Sequence, residues 1–264
     1  MPIALPASLI AQTSEGVARL ILNRPEKHNV IDYEMWRGIA SVMQAFSADD
    51  AVRVVVVSGA GGKAFSAGAD ISEFERKRQR DTADSYNHAT AAAHSALGNC
   101  PKPTIAEIGG HCVGGGLGLA LACDLRVAAD HSSFGIPAAR LGLGYDYSSL
   151  KVLVSIVGPA AAKDIMFTAR RFGAAEAAAL GLVNRVVAPE ELEPAVTDCA
   201  RMIAANAPLT VRASKQIVTE VLKDSDQRDR ALCERLVAEC FASADYVEGR
   251  QAFMEKREPR FQGR

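Results

Sequence analysis

The run Val52-Arg53-Val54-Val55-Val56-Val57 is almost unbroken and β-branched, and it limits what this chain can fold into more than any other segment. A strand with one face in water alternates apolar and polar residues, whereas a strand without alternation needs a covering layer on both faces, as in a parallel or spiral sheet. Around it the pattern changes regularly. Val17-Ala18-Arg19-Leu20-Ile21-Leu22-Asn23 reads as a strand paired with the one around Ser8 to Gln12, before the turn chemistry of Asn23-Arg24-Pro25. Asp32 is placed to cap a helix running to about Phe46. An Ala-rich helix over 82–98 stops at Pro101 and Pro103, and strands follow at Thr104-Ile105-Ala106-Glu107-Ile108 and at Asp124 to Ala129. Strand and helix thus alternate through the first half, which predicts an α/β fold with crossover connections. Beyond residue 148 one short strand candidate remains, Val183 to Val187, among helices over 189–205, from Ala207 onward, over 227–241 and over 244–256.

With 264 residues, 48% of them hydrophobic, the chain can fill one large α/β domain or a compact domain plus a helical extension. Thirty Lys and Arg stand against 31 Asp and Glu, a formal net charge of −1. No global basic field is present to hold nucleic acid or an anionic membrane, so the expected ligand is small. Six cysteines without a CxxC pair and five histidines without an HExxH spacing argue against a metal site. Met1 to Pro6 lacks a basic segment and is broken by two prolines, so it fails as a signal peptide, and no apolar run approaches the roughly 20 residues of a membrane helix. The expectation is a cytoplasmic protein with free thiols.

Two segments of small residues carry the chemistry. Ala64-Phe65-Ser66-Ala67-Gly68-Ala69-Asp70-Ile71 and Gly109-Gly110-His111-Cys112-Val113-Gly114-Gly115-Gly116-Leu117-Gly118 each follow an apolar run. Such loops leave backbone N–H groups bare, and two that converge can aim main-chain donors at one oxygen. The three glycines also precede a helix start, where unpaired amides and the positive dipole end suit a developing enolate oxygen. The plainer explanation of these glycines is close packing of a helix on a strand. Gly59-Ala60-Gly61-Gly62-Lys63-Ala64 fits a loose GxGxxA dinucleotide pattern, but no helix opens directly after it. A P-loop fails because residue 57 is Val and Lys63 is followed by Ala64, and no GxSxG elbow is present.

Leu22-Asn23-Arg24-Pro25-Glu26-Lys27-His28-Asn29-Val30, then Lys63 to Ile71, then Pro103 to Ala106 leading to Gly114-Gly115-Gly116, then Cys123-Asp124-Leu125, Phe134-Gly135-Ile136-Pro137 and Leu180 to Val187, resemble in order the enoyl-CoA hydratase/isomerase (crotonase) superfamily. The resemblance implies a crotonase-like spiral of ββα units over 1–200 holding an acyl-CoA site, followed by a C-terminal helical trimerisation region over 201–264. It implies that the amides of Ala69 and Gly115 grip the thioester oxygen. Residues Arg24 to Lys27 and the loop Ala64, Ala67, Gly68, Asp70 and Ile71, with Gly114 and Ala138, would line the acyl-CoA channel. Coenzyme A then arrives as part of the substrate, with no separate cofactor and no metal. A homotrimer or dimer of trimers is implied, with Phe253 and Lys256 on helices that pack near a neighbour.

The resemblance also implies two glutamates for hydration, at positions held here by Gly118 and Ala138, neither of which exchanges a proton. A carboxylate returns at Asp146, where similar isomerases present an aspartate. With burial beside Tyr145 and Tyr147 raising its pKa, Asp146 is the expected proton shuttle of a double-bond-shifting acyl-CoA isomerase. The competing role for Asp146 is as the cap of a helix beginning near Ser148. An atypical enoyl-CoA hydratase and a non-catalytic acyl-CoA-binding protein are the alternative functions. His88 or His94 on the Ala-rich helix is a candidate second catalytic group. Ala91, Ala92, Ala93 and Ala96 on that helix suggest room for a bulky acyl chain. His111 reads as a packing residue, Asp70 as a brace for loop amides, and Asp124 as a strand-end cap. The only tryptophan, Trp36, is distant in sequence from the Asp146 motif.

Overall fold

The computed structural model describes residues 5–73 and 83–264; the segment Met1 to Ala4 and the expected first residue of the Ala-rich helix, residue 82, lie outside the described residues. In chain order the elements are β1 (Leu9–Ser14), β2 (Val17–Leu22), α1 (Tyr33–Ala48), β3 (Val54–Gly59), β4 (Ala64–Ser66), α2 (Ala83–Gly98), β5 (Thr104–Ile108), β6 (His111–Val113), α3 (Gly115–Leu121), β7 (Leu125–Ala129), β8 (Ser133–Gly135) and α4 (Tyr147–Thr168). They continue with β9 (Phe172–Gly173), α5 (Ala174–Ala179), β10 (Arg185–Val187), α6 (Leu192–Ala205), α7 (Pro208–Val221), α8 (Arg230–Ala242) and α9 (Ala244–Glu255).

One sheet has the order β1-β2-β3-β5-β7-β10 and the other β4-β6-β8-β9. Apart from the β1–β2 hairpin and the β8–β9 pair, every neighbouring strand runs parallel. From β3 on, the chain lays one strand in the large sheet, one in the small sheet and then a helix, three times over. This is the spiral of ββα units that the resemblance implies.

The valine run does what its composition demands. Val55 and Val57 enter the core that α1 and α2 cover, while Val54 and Val56 enter a second core with Ile105, Val127, Val196 and Ala200 beneath α6. All four are fully buried. The strand itself begins at Val54, two residues later than the run, and the Arg53 amide before it donates to the Gly16 carbonyl in the hairpin turn. Strand β5 has the predicted limits, and Asp32 caps α1 by accepting the Met35 amide at 2.9 Å.

The four strands of the small sheet are two or three residues long, too short to show a period, and their Ala, Ser and Gly content reads as loop. A boundary at residue 200 falls inside α6, whose apolar face lies on the large sheet; the chain leaves that layer at Asn206. Beyond it α7, α8 and α9 form the C-terminal helical region. The tail folds back on α9: the carboxylate of Asp245 accepts the amides of Gln262 and Gly263, each at 2.7 Å.

Candidate active site

Parallel pairing of β4, β6 and β8 sets three strand ends side by side. Ala64 pairs with His111, Cys112 with Phe134 and Val113 with Gly135, so the loop 67–71, the first turn of α3 and the turn 137–141 leave the small sheet at one edge. In parallel sheets the carboxyl ends of strands are where ligand groups gather, because each chain reversal exposes backbone donors there.

The two predicted donor loops meet. A Cβ placed on Gly68 would stand 3.2 Å from the Gly115 nitrogen, and one placed on Gly115 would stand 3.5 Å from the Ala69 nitrogen. Ile31 occupies the far side of the loop, its amide donating to the Gly68 carbonyl and its carbonyl accepting from the Asp70 amide, and the Gly68 amide goes to the Ser66 hydroxyl. The Ala69 and Gly115 amides have no internal acceptor among the described residues. Gly114, at φ +55 and ψ −124, occupies backbone space that a Cβ excludes, and it turns the chain from β6 into α3. Gly116 has no room for a Cβ: Ser66 O would lie 2.5 Å away. Close packing on backbone therefore explains Gly116, whereas a Cβ at Gly115 would crowd only the edge of the Trp36 ring, at 3.3 Å.

Arg24 is a strut. Its Nη1 donates to the carboxylates of Asp32 and Asp70, at 3.2 and 3.1 Å, and to the Val30 carbonyl, so this group holds the loop in place. Asp70 braces the loop as expected, accepting the amide and hydroxyl of Ser72. Burial raises its pKa, but the Ser72 and Arg24 hydrogen bonds outweigh that and hold it below its ordinary value. Asn29, fully buried at φ +54, joins the same turn: its side chain donates to the Ala60 and Ala64 carbonyls and accepts the Arg24 amide. A buried asparagine inside a turn was the available signal for this hub. Ala64 is buried, Ala67 donates its amide to the His28 carbonyl, and Lys27 and Ile71 lie exposed at the rim.

Asp146 departs from the buried base expected from the sequence. It is exposed and caps α4, with Oδ1 accepting the Ser149 amide at 2.9 Å and Oδ2 the Ser149 hydroxyl at 2.6 Å. Burial pushes its pKa up, but the hydrogen bonds from Ser149 pull harder and the carboxyl ends below its ordinary 3.8. Tyr147 is 77% exposed and shields nothing. Tyr145 turns inward, and burial, with Asp146 adding to it, pushes its phenol up to about 12.

The surroundings of Gly115 and Gly118 are made by groups distant in sequence. Trp36 on α1 lies 3.3 Å from the Cβ position of Gly115, and its indole donates to the Tyr86 hydroxyl at 3.1 Å. His94 packs against it with the rings tilted by 50° and their centres 5.4 Å apart. Its Nε2 reaches within 3.1 Å of the Cβ position of Gly118, and the Tyr145 hydroxyl lies 3.7 Å from the same point. Ala138 is buried in the 3-10 turn Pro137–Leu141. His88 points to solvent. Ala91 and Ala92 are exposed while Ala93 is buried, so the alanines of α2 do not share one pocket-facing side. Away from these groups His111 contacts the Ser133 hydroxyl at 2.8 Å and stacks edge-on with His28. Asp124 joins strand ends, accepting the amide and hydroxyl of Thr104 and the Lys215 ammonium.

The match to known proteins runs the length of this architecture. A family model described as enoyl-CoA hydratase/isomerase matches residues 12–264. A crotonyl-CoA hydratase of Syntrophomonas wolfei is 35% identical over 254 residues, covering 96% of this chain and 97% of that protein. A carnitinyl-CoA dehydratase of Salmonella arizonae is 36% identical, covering 94% and 95%. The crystal structure of an enoyl-CoA hydratase/carnithine racemase from Magnetospirillum magneticum superposes with a TM-score of 0.92 at 37% identity, covering 98% of this chain and 97% of that one.

Proposed function

The chain belongs to the enoyl-CoA hydratase/isomerase family, and from that premise we propose that it processes acyl-CoA thioesters through an enolate held by the Ala69 and Gly115 amides. One observation carries the reading: these two amides lie close together, the Ala69 nitrogen 3.5 Å from the Cβ position of Gly115, with no internal acceptor among the described residues. Removing a proton next to a thioester moves charge onto its oxygen, and preset amides stabilise that charge more than they stabilise the neutral carbonyl. Each such donor is worth on the order of 3 kcal/mol in the transition state.

The reaction we assign is a shift of the double bond by proton transfer. A side chain at Gly118 or Ala138 that delivers and activates water is absent, since neither residue titrates. Moving a double bond needs one group that takes a proton and gives it back. The loop Ala64, Ala67 and Gly68 with the exposed Lys27 and Ile71 is assigned to the coenzyme A moiety, with Arg24 and Asp70 holding that loop in shape. Hydration is the second reading, favoured by the relative named crotonyl-CoA hydratase.

Incubating the purified protein with 3-enoyl-, 2-enoyl- and aromatic acyl-CoAs tests this directly. Conversion of 3-enoyl to 2-enoyl thioesters is the expected result, and water addition to 2-enoyl-CoA supports the second reading. Calorimetric binding of acyl-CoA with no turnover of any of them overturns both in favour of a binding protein, and binding of NADH without CoA overturns the site itself.

We also assign the C-terminal helices to self-association as a trimer or a pair of trimers. Phe241, Phe253 and Met254 are 62%, 83% and 79% exposed around an apolar groove of about 830 Å³ between α7, α8 and α9.

A further inference from the structure

His94 is the one buried side-chain nitrogen or oxygen among the described residues without a hydrogen-bond partner, through its Nε2. A polar atom taken out of water without a partner is a cost to folding with no return inside the fold, and each such atom asks for a reason. The surroundings supply one. Of the two ring nitrogens it is Nε2 that lacks a partner, and the backbone of Thr90, one helical turn earlier, favours a proton on the other, Nδ1. With the proton on Nδ1, the buried Nε2 lone pair has no partner. Nε2 lies 3.1 Å from where a Cβ of Gly118 would be. Gly118 lies one turn along α3 from Gly115, on the same face and about 5 Å further on. The imidazole thus fills the space that a side chain at 118 would take, beside the paired amides.

We propose that His94 is the catalytic base of this site, with Nε2 carrying the proton between substrate carbons; this rests on the enolate reading above. In the first step Nε2 forms a bond to the proton on the carbon next to the thioester, the C–H bond breaks, and its electron pair spreads into a dienolate whose oxygen is held by Ala69 and Gly115. In the second step the imidazolium returns that proton two carbons further along, and the dienolate electrons rebuild the carbonyl with the double bond now beside it. No oxidant, water or second acid is consumed. The indole of Trp36 holds the ring from one side, and Tyr145 closes the other near Gly118. Burial keeps the imidazole below its ordinary pKa against the opposing pull of Asp146 and the Thr90 bond, so the resting ring is neutral and able to accept a proton. Asp146, with both oxygens on Ser149, acts at most through its charge on the imidazolium.

The test compares wild type and His94→Gln for 3-enoyl-CoA isomerisation and for deuterium uptake from D2O at the carbon beside the thioester. A loss of about 100-fold or more in both, with acyl-CoA affinity held within about threefold, is the expected result. Turnover within about fivefold of wild type overturns His94 and leaves the enolate site standing, whereas a wild type that neither isomerises nor exchanges overturns the enolate reading and His94 with it. Should the variant melt far below wild type, histidine labelled with nitrogen-15 in the wild-type protein reports instead. The Nε2 resonance of His94 then shifts when 2-butenoyl-CoA is added, and an unmoved resonance overturns the proposal.

Discussion

Gly114, Gly115 and Gly116 are adjacent in sequence and separate in purpose. Gly114 turns the backbone through a region closed to other residues, Gly116 presses against the Ser66 carbonyl, and Gly115 keeps an amide without an internal acceptor beside Ala69. Proline at Gly115 isolates that amide. The position is the first of α3, where proline's fixed φ suits a helix and its missing N–H breaks no helical bond. Gly115→Pro is expected to lower acyl-CoA turnover on the order of 100-fold or more while the affinity for CoA changes far less, measured by steady-state rates and calorimetry. Unchanged turnover would remove Gly115 from the donor pair. The sequence revealed the glycine run, but which glycine does which job depends on what each absent Cβ would touch.

Among the elements, α4 shows how a local rule wins over a functional expectation. Asp-x-x-Ser before a helical run is a capping pattern, and Asp146 satisfies it with both oxygens. Replacing Asp146 with Ala is expected to cost about 1 kcal/mol of stability, and with Asn only a small part of that, in denaturant unfolding at pH 7. The sign with pH follows from the depressed pKa. The extra stability of the ionised cap is complete above the ordinary 3.8 and fades as pH falls through the lower folded value, so the Ala deficit narrows in acid. A deficit that widens in acid would contradict the cap. The long parallel strands were legible because β-branched runs buried on both faces leave no other option. The short strands β4, β6, β8 and β9 were not, since they exist only through their neighbours' hydrogen bonds.

At the scale of the molecule, the exposed aromatic residues of the C-terminal helices stand apart from the well-covered sheet cores. Phe241 and Tyr246 stack edge-on at 5.2 Å, and Phe253 and Met254 project beyond them. A contiguous apolar patch of this kind is normally covered in a folded assembly. Light scattering on the eluting peak is expected to give three or six chain masses. The pair Phe253→Glu and Met254→Glu should shift that peak toward one chain mass, and a wild type already at one chain mass would refute self-association.

The sequence by itself determined the α/β alternation, the spiral family and the two small-residue loops, because each rests on local pattern: β-branched runs, glycine punctuation and capping residues at fixed spacing. Tertiary structure alone decided what surrounds the amides. Trp36, His94 and Gly118 come from three helices far apart in the chain, and their meeting depends on which face of each helix the two sheets bury. It also decided that Asp146 stays outside as a cap. A carboxylate's pKa and reach are set by its neighbours in space, and the order of residues along the chain does not specify those neighbours.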